Sequence, residues 1–456
     1  MIKTAALPTV LFSLLVLSLQ PVKAEWNPPS SLSRQAIVQA SSAVLAMPDI
    51  PIKAEEEISR IRVLEMDWDI AVKVYEPQDS SRIPTGPDGK KAGVFIIHGG
   101  GGDHRSKDSL ARLIAGKFGY KVASMSYPGY LYLMNESHDW PGEPVNSDGT
   151  LRVPMWNKDQ PITRDQYEHV QDRSMLDRYG TLQLACAKEG SDFYDRMAAF
   201  PVVFEEAGKD LMRRHLPEDE YSIYIHGHST GGPFSFMFTQ RVPNIVGVLG
   251  MENSPFGYIY SQLIGGRTWN LPFNCLSEFT WRITAMYAGS EAFDNEGGQA
   301  LMHLPMLMEQ VLESYQRGTT GPRFKAEYPV HLNGVESLIA AARATAERLD
   351  LDAEETADLV RRYRSYPREL SGPGVKPIPP VLFSIAQMSK DHTYDGYTQI
   401  VLPMFAAMNP APKVRLVPFE AGVHSYSRPE PDLPMGLAPA MVQLWHDAIM
   451  GGYYTE

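Results

Sequence analysis

Three short segments carry residue types that together can cleave an acyl bond. Residues 227–231 read Gly-His-Ser-Thr-Gly, with Ser229 at the centre, and residues 98–102 read His-Gly-Gly-Gly-Gly. His424 lies near the end of the chain. A serine becomes a nucleophile when a neutral imidazole removes its proton, and backbone N–H groups in a glycine run can hold the oxyanion that develops. These segments predict an acyl-transfer site with Ser229 as nucleophile and His424 as general base.

The elements around these segments predict an α/β architecture. Short apolar runs that read as buried strands alternate with helical stretches, which indicates a parallel sheet with crossover helices. The predicted buried strands are 92–97, 121–127, 221–225, 245–251, 381–386 and 414–418, and the helices between and after them are 107–118, 192–216, 233–240, 397–408 and a last one ending near residue 450. Residues 58–64 and 70–75 alternate apolar and polar residues, as half-buried antiparallel strands do. Ser229 then lies in a strand-to-helix turn, and His424 lies between the last strand and the last helix.

The sequence resembles the α/β-hydrolase superfamily over residues 92–102, 221–232 and 381–424. Its His-Gly-Gly-Gly run is similar to that of the hormone-sensitive-lipase and carboxylesterase branch, although residues 227–231 are not the Gly-Asp-Ser-Ala-Gly of that branch. The resemblance implies an α/β-hydrolase fold, with a mostly parallel central sheet flanked by helices. It also implies that Ser229 is the nucleophile, that His424 is the base, and that the oxyanion donors are the backbone N–H groups of Gly100, Gly101 and Thr230.

The third member of the predicted triad is a carboxylate, for which three residues compete. In the family the acid usually follows the strand before the base strand, and Asp391 lies in that loop, after residues 381–386. We therefore take Asp391 as the preferred acid. Asp395 in the same loop is an alternative that could instead cap a helix, and Glu252, just after residues 245–251, is the other alternative.

Two long interruptions divide the predicted core and predict a cap over the active site. We expect core segments at 25–127, 191–253 and 377–456, a first cap insertion at 128–190, and a second, largely helical cap insertion at 254–376. The second is too long for a simple loop in a compact domain. Aromatic residues cluster where the insertions begin and predict a pocket for an apolar or aromatic substrate, although most of these aromatics should form the core of the cap itself. The predicted pocket residues are Tyr127, Tyr130, Trp140 and Phe256.

The first 24 residues have the pattern of a signal peptide. Lys3 precedes an apolar stretch, and Val22-Lys23-Ala24 fits the small-x-small cleavage rule. We therefore expect an exported protein, periplasmic or secreted, with no stable membrane anchor after cleavage. The only two cysteines, Cys186 and Cys275, pair in a disulfide or remain separate buried residues, and the sequence does not decide between the two.

Charge and ligand spacing exclude other classes of function. The formal net charge is −12 and no basic cluster is visible, which disfavours nucleic-acid binding. His226 and His228 lie two residues apart without an evident third ligand nearby, so we expect no metal, and we expect no cofactor. The partner we expect is a small-molecule ester, cleaved by a carboxylesterase-like serine hydrolase. An amidase, lactonase or thioesterase with the same triad, or a non-catalytic binding protein with this fold, are the alternatives, and the oligomeric state is not predicted.

Overall fold

The computed structural model describes most of the predicted core and little of the predicted cap. The described residues are 26–63, 66–99, 103–129, 155–161, 163–177, 180–188, 191–229, 231–253, 275–277, 346, 350–357, 376–389, 392–407 and 411–455. The predicted signal peptide and most of the second insertion therefore lie outside the described residues. Within the described ranges, no helix combines the length and the apolar character needed to span a membrane.

An eight-stranded, mostly parallel sheet forms the centre of the molecule. Its strands, in spatial order, are β1 (Ile52–Val63), β2 (Met66–Pro77), β4 (Lys121–Met125), β3 (Lys91–Ile97), β9 (Tyr221–Gly227), β10 (Ile245–Leu249), β12 (Val381–Ala386) and β13 (Val414–Phe419). The β1–β2 and β2–β4 pairs are antiparallel, and the six strands from β4 to β13 run parallel. Because six neighbouring strands are parallel, the loops that follow them meet at one edge of the sheet, where ligands bind in open α/β sheets.

Helices cover both faces of this sheet. They are α1 (Arg34–Ala46), α2 (Asp108–Phe118), α3 (Asp192–His215), α4 (Gly231–Arg241), α5 (Leu402–Ala407) and α6 (Ala438–Met450). Buried side chains of α1, α2 and α6 pack on one face, and those of α3, α4 and α5 pack on the other. The buried strands have apolar residues on both sides because each side faces helices. The α/β architecture predicted from the sequence is therefore confirmed.

The first insertion contains strands where the sequence analysis predicted no strand or helix. Strands β7 (Tyr167–Asp177) and β8 (Gly180–Ala187) form an antiparallel pair there, with a register shift between Asp172 and Leu176. Short strands β5 (Met155–Asn157) and β6 (Gln160–Pro161) pair nearby. Charged residues interrupt the alternation along β7, so the pairing partner, rather than the local pattern, makes this segment a strand.

The disulfide left open by the sequence forms in the structure. Cys186 is disulfide-bonded, and the only other cysteine, Cys275, faces it in the register of β8 and β11 (Cys275–Ser277). The pairing joins the first predicted insertion to the start of the second. It ties together two segments that are separated by the nucleophile turn and two strands of the core.

Candidate active site

Ser229 lies in a tight turn between β9 and α4 and has a left-handed backbone. Its φ is 54°, a conformation that costs a non-glycine residue about 1–3 kcal/mol and is most often found at functional sites. Its own N–H donates to Glu252 O at 2.8 Å, and the N–H of His228 donates to Ile97 O at 3.0 Å. The turn is thus held by the ends of two neighbouring strands, which can offset its local strain.

The two glycines that flank Ser229 are required by close backbone packing. A Cβ on Gly227 would lie 2.1 Å from Gly231 O, and a Cβ on Gly231 would lie 2.8 Å from both Ile97 O and His98 O. Backbone oxygens cannot move aside as a flexible side chain can. The Gly-x-Ser-x-Gly spacing therefore reflects the close approach of the turn to itself and to the end of β3.

Replacing Gly231 by Ala is expected to lower the free energy of unfolding by about 1–3 kcal/mol, because the added methyl overpacks the backbone at the end of β3. It should also slow any reaction at Ser229, since the turn must move away from Ile97 and His98. The matched control is Gly116→Ala in α2, where the nearest atom to an added Cβ is Ile50 O at 3.9 Å. The control should be neutral or slightly stabilising. Urea unfolding measures both variants, and equal stabilities would contradict the packing argument.

Glu252 connects the serine turn to His424. It follows β10, is fully buried, and also has a positive φ, 53°. Its backbone N–H donates to Ser384 O at 3.0 Å, while its carbonyl oxygen accepts from Ser229 N. Its carboxylate accepts from Ala386 N and Ser389 Oγ, each at 2.5 Å, and contacts His424 Nδ1 at 2.8 Å. One residue therefore contacts the nucleophile through its backbone and the imidazole through its side chain.

Among the described residues, the carboxylate beside His424 is that of Glu252, which the sequence analysis held as an alternative acid. Asp391 lies outside the described residues, and Asp395 lies in the short helical turn Tyr394–Gly396. Glu252, held as an alternative, is the residue that makes the hydrogen bond to His424. The physical reason is that the loops after β10 and β12 reach the same edge of the sheet, so that strand order alone does not choose between them.

The imidazole of His424 is stacked between two other histidines. The ring centre of His228 lies 4.9 Å away at an interplanar angle of 25°, and that of His392 lies 5.3 Å away at 23°. Burial lowers the pKa of both outer rings well below its usual value, and charge on His424 lowers each further. The rings of His228 and His392 therefore stay neutral when His424 takes a proton. Their polarisable faces contact the protonated imidazole and add no second positive charge.

Glu252, His392 and His424 each present one polar atom within 4.8 Å of the others, a spacing that a metal ion could bridge. The Nδ1 of His424 is already hydrogen-bonded to the carboxylate of Glu252. A metal bound there would have to break this contact, so the arrangement suits a hydrogen-bonded acid–imidazole pair better. The pair His226 and His228 points to other partners: His226 bonds Leu249 O and the Tyr426 hydroxyl, and His228 bonds Lys107 and His424 O.

Residues 98–102 begin at the end of β3, directly beside the serine. A Cβ on Gly99 would lie 2.8 Å from His228 Nδ1 and 3.3 Å from Ser229 Cβ, so this loop starts in contact with the turn. The buried His98 has a ring whose Nδ1 donates to Gly99 O at 2.7 Å. The predicted oxyanion donors Gly100, Gly101 and Thr230 lie outside the described residues.

Tyr127, predicted as a substrate-pocket residue, lies in the core instead. It is fully buried, its hydroxyl donates to His98 O, and its ring stacks on the His98 ring with centres 3.9 Å apart. Phe204 and Phe234 pack on its other sides. Its polar tip finds a backbone acceptor at the base of the glycine loop, so this tyrosine supports the loop. The other predicted pocket residues, Tyr130, Trp140 and Phe256, lie outside the described residues.

Three further residues of the site were not identified from the sequence: Lys107, His392 and Tyr426. His392 lies in the loop where we expected the acid, and Tyr426 lies two residues after His424, yet neither position follows a periodic pattern. Lys107 precedes α2 and contacts His228 from a distance of 121 residues along the chain. In the sequence, these three residues are marked only by their proximity to the motifs. Proximity along the chain does not predict which side chains point into the site.

Comparison with known proteins adds a likeness of fold. No protein-family model and no curated protein matches the sequence. Among solved structures, an S-formylglutathione hydrolase from Agrobacterium tumefaciens is similar, with a TM-score of 0.38, 12% identity, and coverage of 89% of this chain and all of that one. Similar too are an S-formylglutathione hydrolase from Staphylococcus aureus (TM-score 0.36, 11% identity, 86% and 99% coverage) and a lipase in its open form (0.36, 13%, 87% and 99%).

The topology of the chain itself identifies the fold. Six parallel strands follow an antiparallel pair, and the serine turn lies between the end of β9 and the start of α4. Because this strand order and this strand-to-helix turn are those of the α/β-hydrolases, the chain has the α/β-hydrolase fold.

Proposed function

We propose that this chain is a serine hydrolase that cleaves a carboxylic ester, with Ser229 as nucleophile, His424 as general base and Glu252 as the acid. One observation carries the proposal. Glu252 accepts a hydrogen bond from the backbone of a left-handed serine, while its carboxylate lies 2.8 Å from His424 Nδ1. Glu252 thus links a strained serine turn to an imidazole beside a carboxylate, which supports a base-activated serine hydroxyl.

The hydrogen bond to Glu252 decides which nitrogen of His424 acts as the base. An ionised carboxylate can only accept, so Nδ1 carries the hydrogen and Nε2 carries the free lone pair. Ser229 Oγ then attacks the ester carbonyl carbon as its proton moves to Nε2. The tetrahedral intermediate collapses to an acyl-enzyme, and the leaving alcohol takes the proton from Nε2. Water repeats the sequence on the acyl-enzyme and releases the acid.

The oxyanion of each tetrahedral intermediate is assigned to the backbone N–H groups of Gly100, Gly101 and Thr230. This assignment is supported by Gly99, which packs against the serine turn and leads into the glycine run. Removing one such donor in enzymes of this type typically costs about 10²–10³ in kcat. An apolar acyl group is supported by Met388 and Tyr394, which are exposed on the loop that carries His392.

Export belongs to the same proposal. The first 24 residues have the signal-peptide pattern, and the disulfide of Cys186 suits an oxidising compartment. Expression of the full chain in a bacterial host tests this: sequencing of the exported protein should give an N-terminus at Glu25. A full-length chain retained with the cell membranes would contradict it.

The test of activity is labelling with a fluorophosphonate followed by intact-mass analysis and peptide mapping. We expect one adduct on the native protein, located on Ser229, and none on the urea-denatured protein, because only the folded site activates the hydroxyl. Hydrolysis rates of 4-nitrophenyl acetate and octanoate, a thioester and a 4-nitroanilide then define the bond and the chain length. No adduct on the folded protein, together with no turnover of any of the four, would favour a non-catalytic binding protein.

A further inference from the structure

Lys107 places a positive charge behind the serine turn. It is half-buried, and its Nζ lies 3.1 Å from His228 Nδ1 and 4.5 Å from the centre of the Tyr426 ring. In the described part of the chain no carboxylate pairs with this ammonium group. Lysines usually reach solvent or an acidic partner. Lys107 instead ends against an imidazole and an aromatic ring. A lysine in this position contributes little to the stability of the fold, so we infer that it has another role.

The contact with Lys107 fixes the hydrogen-bonding state of His228. The Nε2 of His228 lies 3.1 Å from His424 O, and a carbonyl oxygen can only accept. Nε2 therefore carries the hydrogen, and Nδ1 offers its lone pair to the ammonium group of Lys107. The same His228 ring packs flat on the ring of His424. Lys107 thereby orients an imidazole that bonds the backbone of the base and covers one face of its side chain.

Three separate segments meet at this lysine. Lys107 ends the loop that begins with residues 98–102, His228 belongs to the serine turn, and His424 and Tyr426 belong to the loop after β13. Gly99 packs directly on His228 Nδ1 and on Ser229 Cβ, so the glycine loop is part of the same assembly. A shift of any one segment would alter the relation between the nucleophile and the base.

We propose that protonated Lys107 is a positioning residue for the ester hydrolysis: acting through His228, it holds Gly99, the serine turn and the His424 loop in their reactive arrangement. This role rests on the proposed function. Lys107 contacts neither Glu252 nor a reacting atom in the arrangement described. Its effect reaches the chemistry through the His228 ring.

The position of Lys107 lowers the pKa of its ammonium group, and this shift makes the proposed role testable by its pH dependence. Burial lowers the pKa of Lys107 to about 7, and no negative group of the described structure opposes this. The titratable groups that interact with it are His228 on the serine turn, His226 on β9, Tyr426 on the base loop and His98 on its own loop. Burial keeps the His98 and His226 rings neutral, with each pKa lowered to about 3, and it raises the pKa of the Tyr426 hydroxyl.

The lowered pKa of Lys107 determines how the stability of the protein changes with pH. The pKa of Lys107 is lower in the folded chain than in the unfolded chain, so folding opposes its charge and the cost is fully present below pH 7. Between about pH 7 and the usual lysine value of 10.5 the unfolded state binds one proton more, and stability rises with pH. Lys107→Met should therefore be as stable as the wild type or more stable at pH 6, and this advantage should shrink towards pH 10.

The experiment compares wild type, Lys107→Met, Lys107→Arg and a control, Lys117→Met. Lys117 lies in the last turn of α2, and its Nζ bonds Met47 O at 2.7 Å and pairs with Asp49 at 2.8 Å rather than contacting the serine turn. We expect Lys107→Met to lower kcat about 10–100-fold with little change in KM, because the reacting groups lose their alignment. Its Tm at pH 6 should not fall, and the loss of kcat should be larger at pH 6 than at pH 9. Lys107→Arg should recover part of the rate, and Lys117→Met should lower Tm without changing kcat.

Two outcomes of the rate and stability measurements would overturn the positioning role. One is an unchanged kcat in Lys107→Met at both pH values. The other is a lower kcat accompanied by a lower Tm at pH 6 and an equal loss at pH 6 and pH 9, which would indicate a merely structural lysine. Fluorophosphonate labelling separates the two proposals. Equal labelling rates for wild type and Lys107→Met would overturn only the role of Lys107, whereas a wild type that is neither labelled nor active would overturn the proposed function and this role with it.

Discussion

Replacing Ser229 by Ala is expected to reduce ester turnover by about 10⁶-fold, and adding His424→Ala to the same chain should cost almost nothing more. The reason is that the serine and histidine act as a unit, so a base without a nucleophile contributes no rate. Residual catalysis of about 10³–10⁴ over water should persist in both variants, from the oxyanion donors and substrate binding. The measurement is the turnover of a 4-nitrophenyl ester at high enzyme concentration by the wild type, Ser229→Ala and the double variant.

The control for this pair is Ser235→Ala, in the helix that follows the serine turn. The hydroxyl of Ser235 is fully buried and donates to Gly232 O at 2.7 Å, so its removal changes one hydrogen bond near the site without touching the nucleophile. Its kcat should stay within a few-fold of the wild type. If Ser229→Ala retained the wild-type rate, or if the two losses multiplied in the double variant, Ser229 and His424 would not be acting as nucleophile and base.

The second large effect is expected from Glu252→Gln, which should lower kcat by about 10⁴-fold, as loss of the acid does in other triads. Glu252 accepts three hydrogen bonds through two oxygens, from Ala386 N, Ser389 Oγ and His424 Nδ1. A glutamine keeps one oxygen and turns the other position into a donor. Either the Ala386 N–H loses its acceptor, or His424 reverses its tautomer and presents Nδ1 without a hydrogen to the amide. In the second case Nε2 carries the proton and cannot act as a base.

Asp391→Asn is the matched comparison, because Asp391 was the acid that the sequence favoured. If Glu252 is the acid, this variant should change kcat only a few-fold. A 10⁴-fold loss in Asp391→Asn with a mild effect of Glu252→Gln would assign the acid to Asp391. Circular dichroism and Tm should accompany both variants, since leaving a buried N–H unsatisfied costs about 1–3 kcal/mol and Glu252→Gln must be shown to fold.

The parts of this site that lie within one short segment were predictable from the sequence. The serine turn follows from the Gly227 and Gly231 spacing, because each glycine is required by backbone atoms close to it in the chain or at the end of the adjacent strand. The alternation of apolar runs with helical stretches predicted the central sheet because buried parallel strands need apolar residues on both faces. His424 was selected by its place between the last strand and the last helix, and the structure places it against Glu252 and His228.

The sequence did not predict the contacts between loops that are distant along the chain. Glu252 and His424 are 172 residues apart, and Lys107 and His228 are 121 apart. Parallel strands bring all of these loops to one edge of the sheet, so several carboxylates compete for one imidazole on equal topological terms. In the described structure, Glu252 is the carboxylate that contacts His424. The sequence alone determined the alternation of strands and helices and the serine turn, whereas tertiary packing decided the strand order of the sheet and which carboxylate and histidines contact His424.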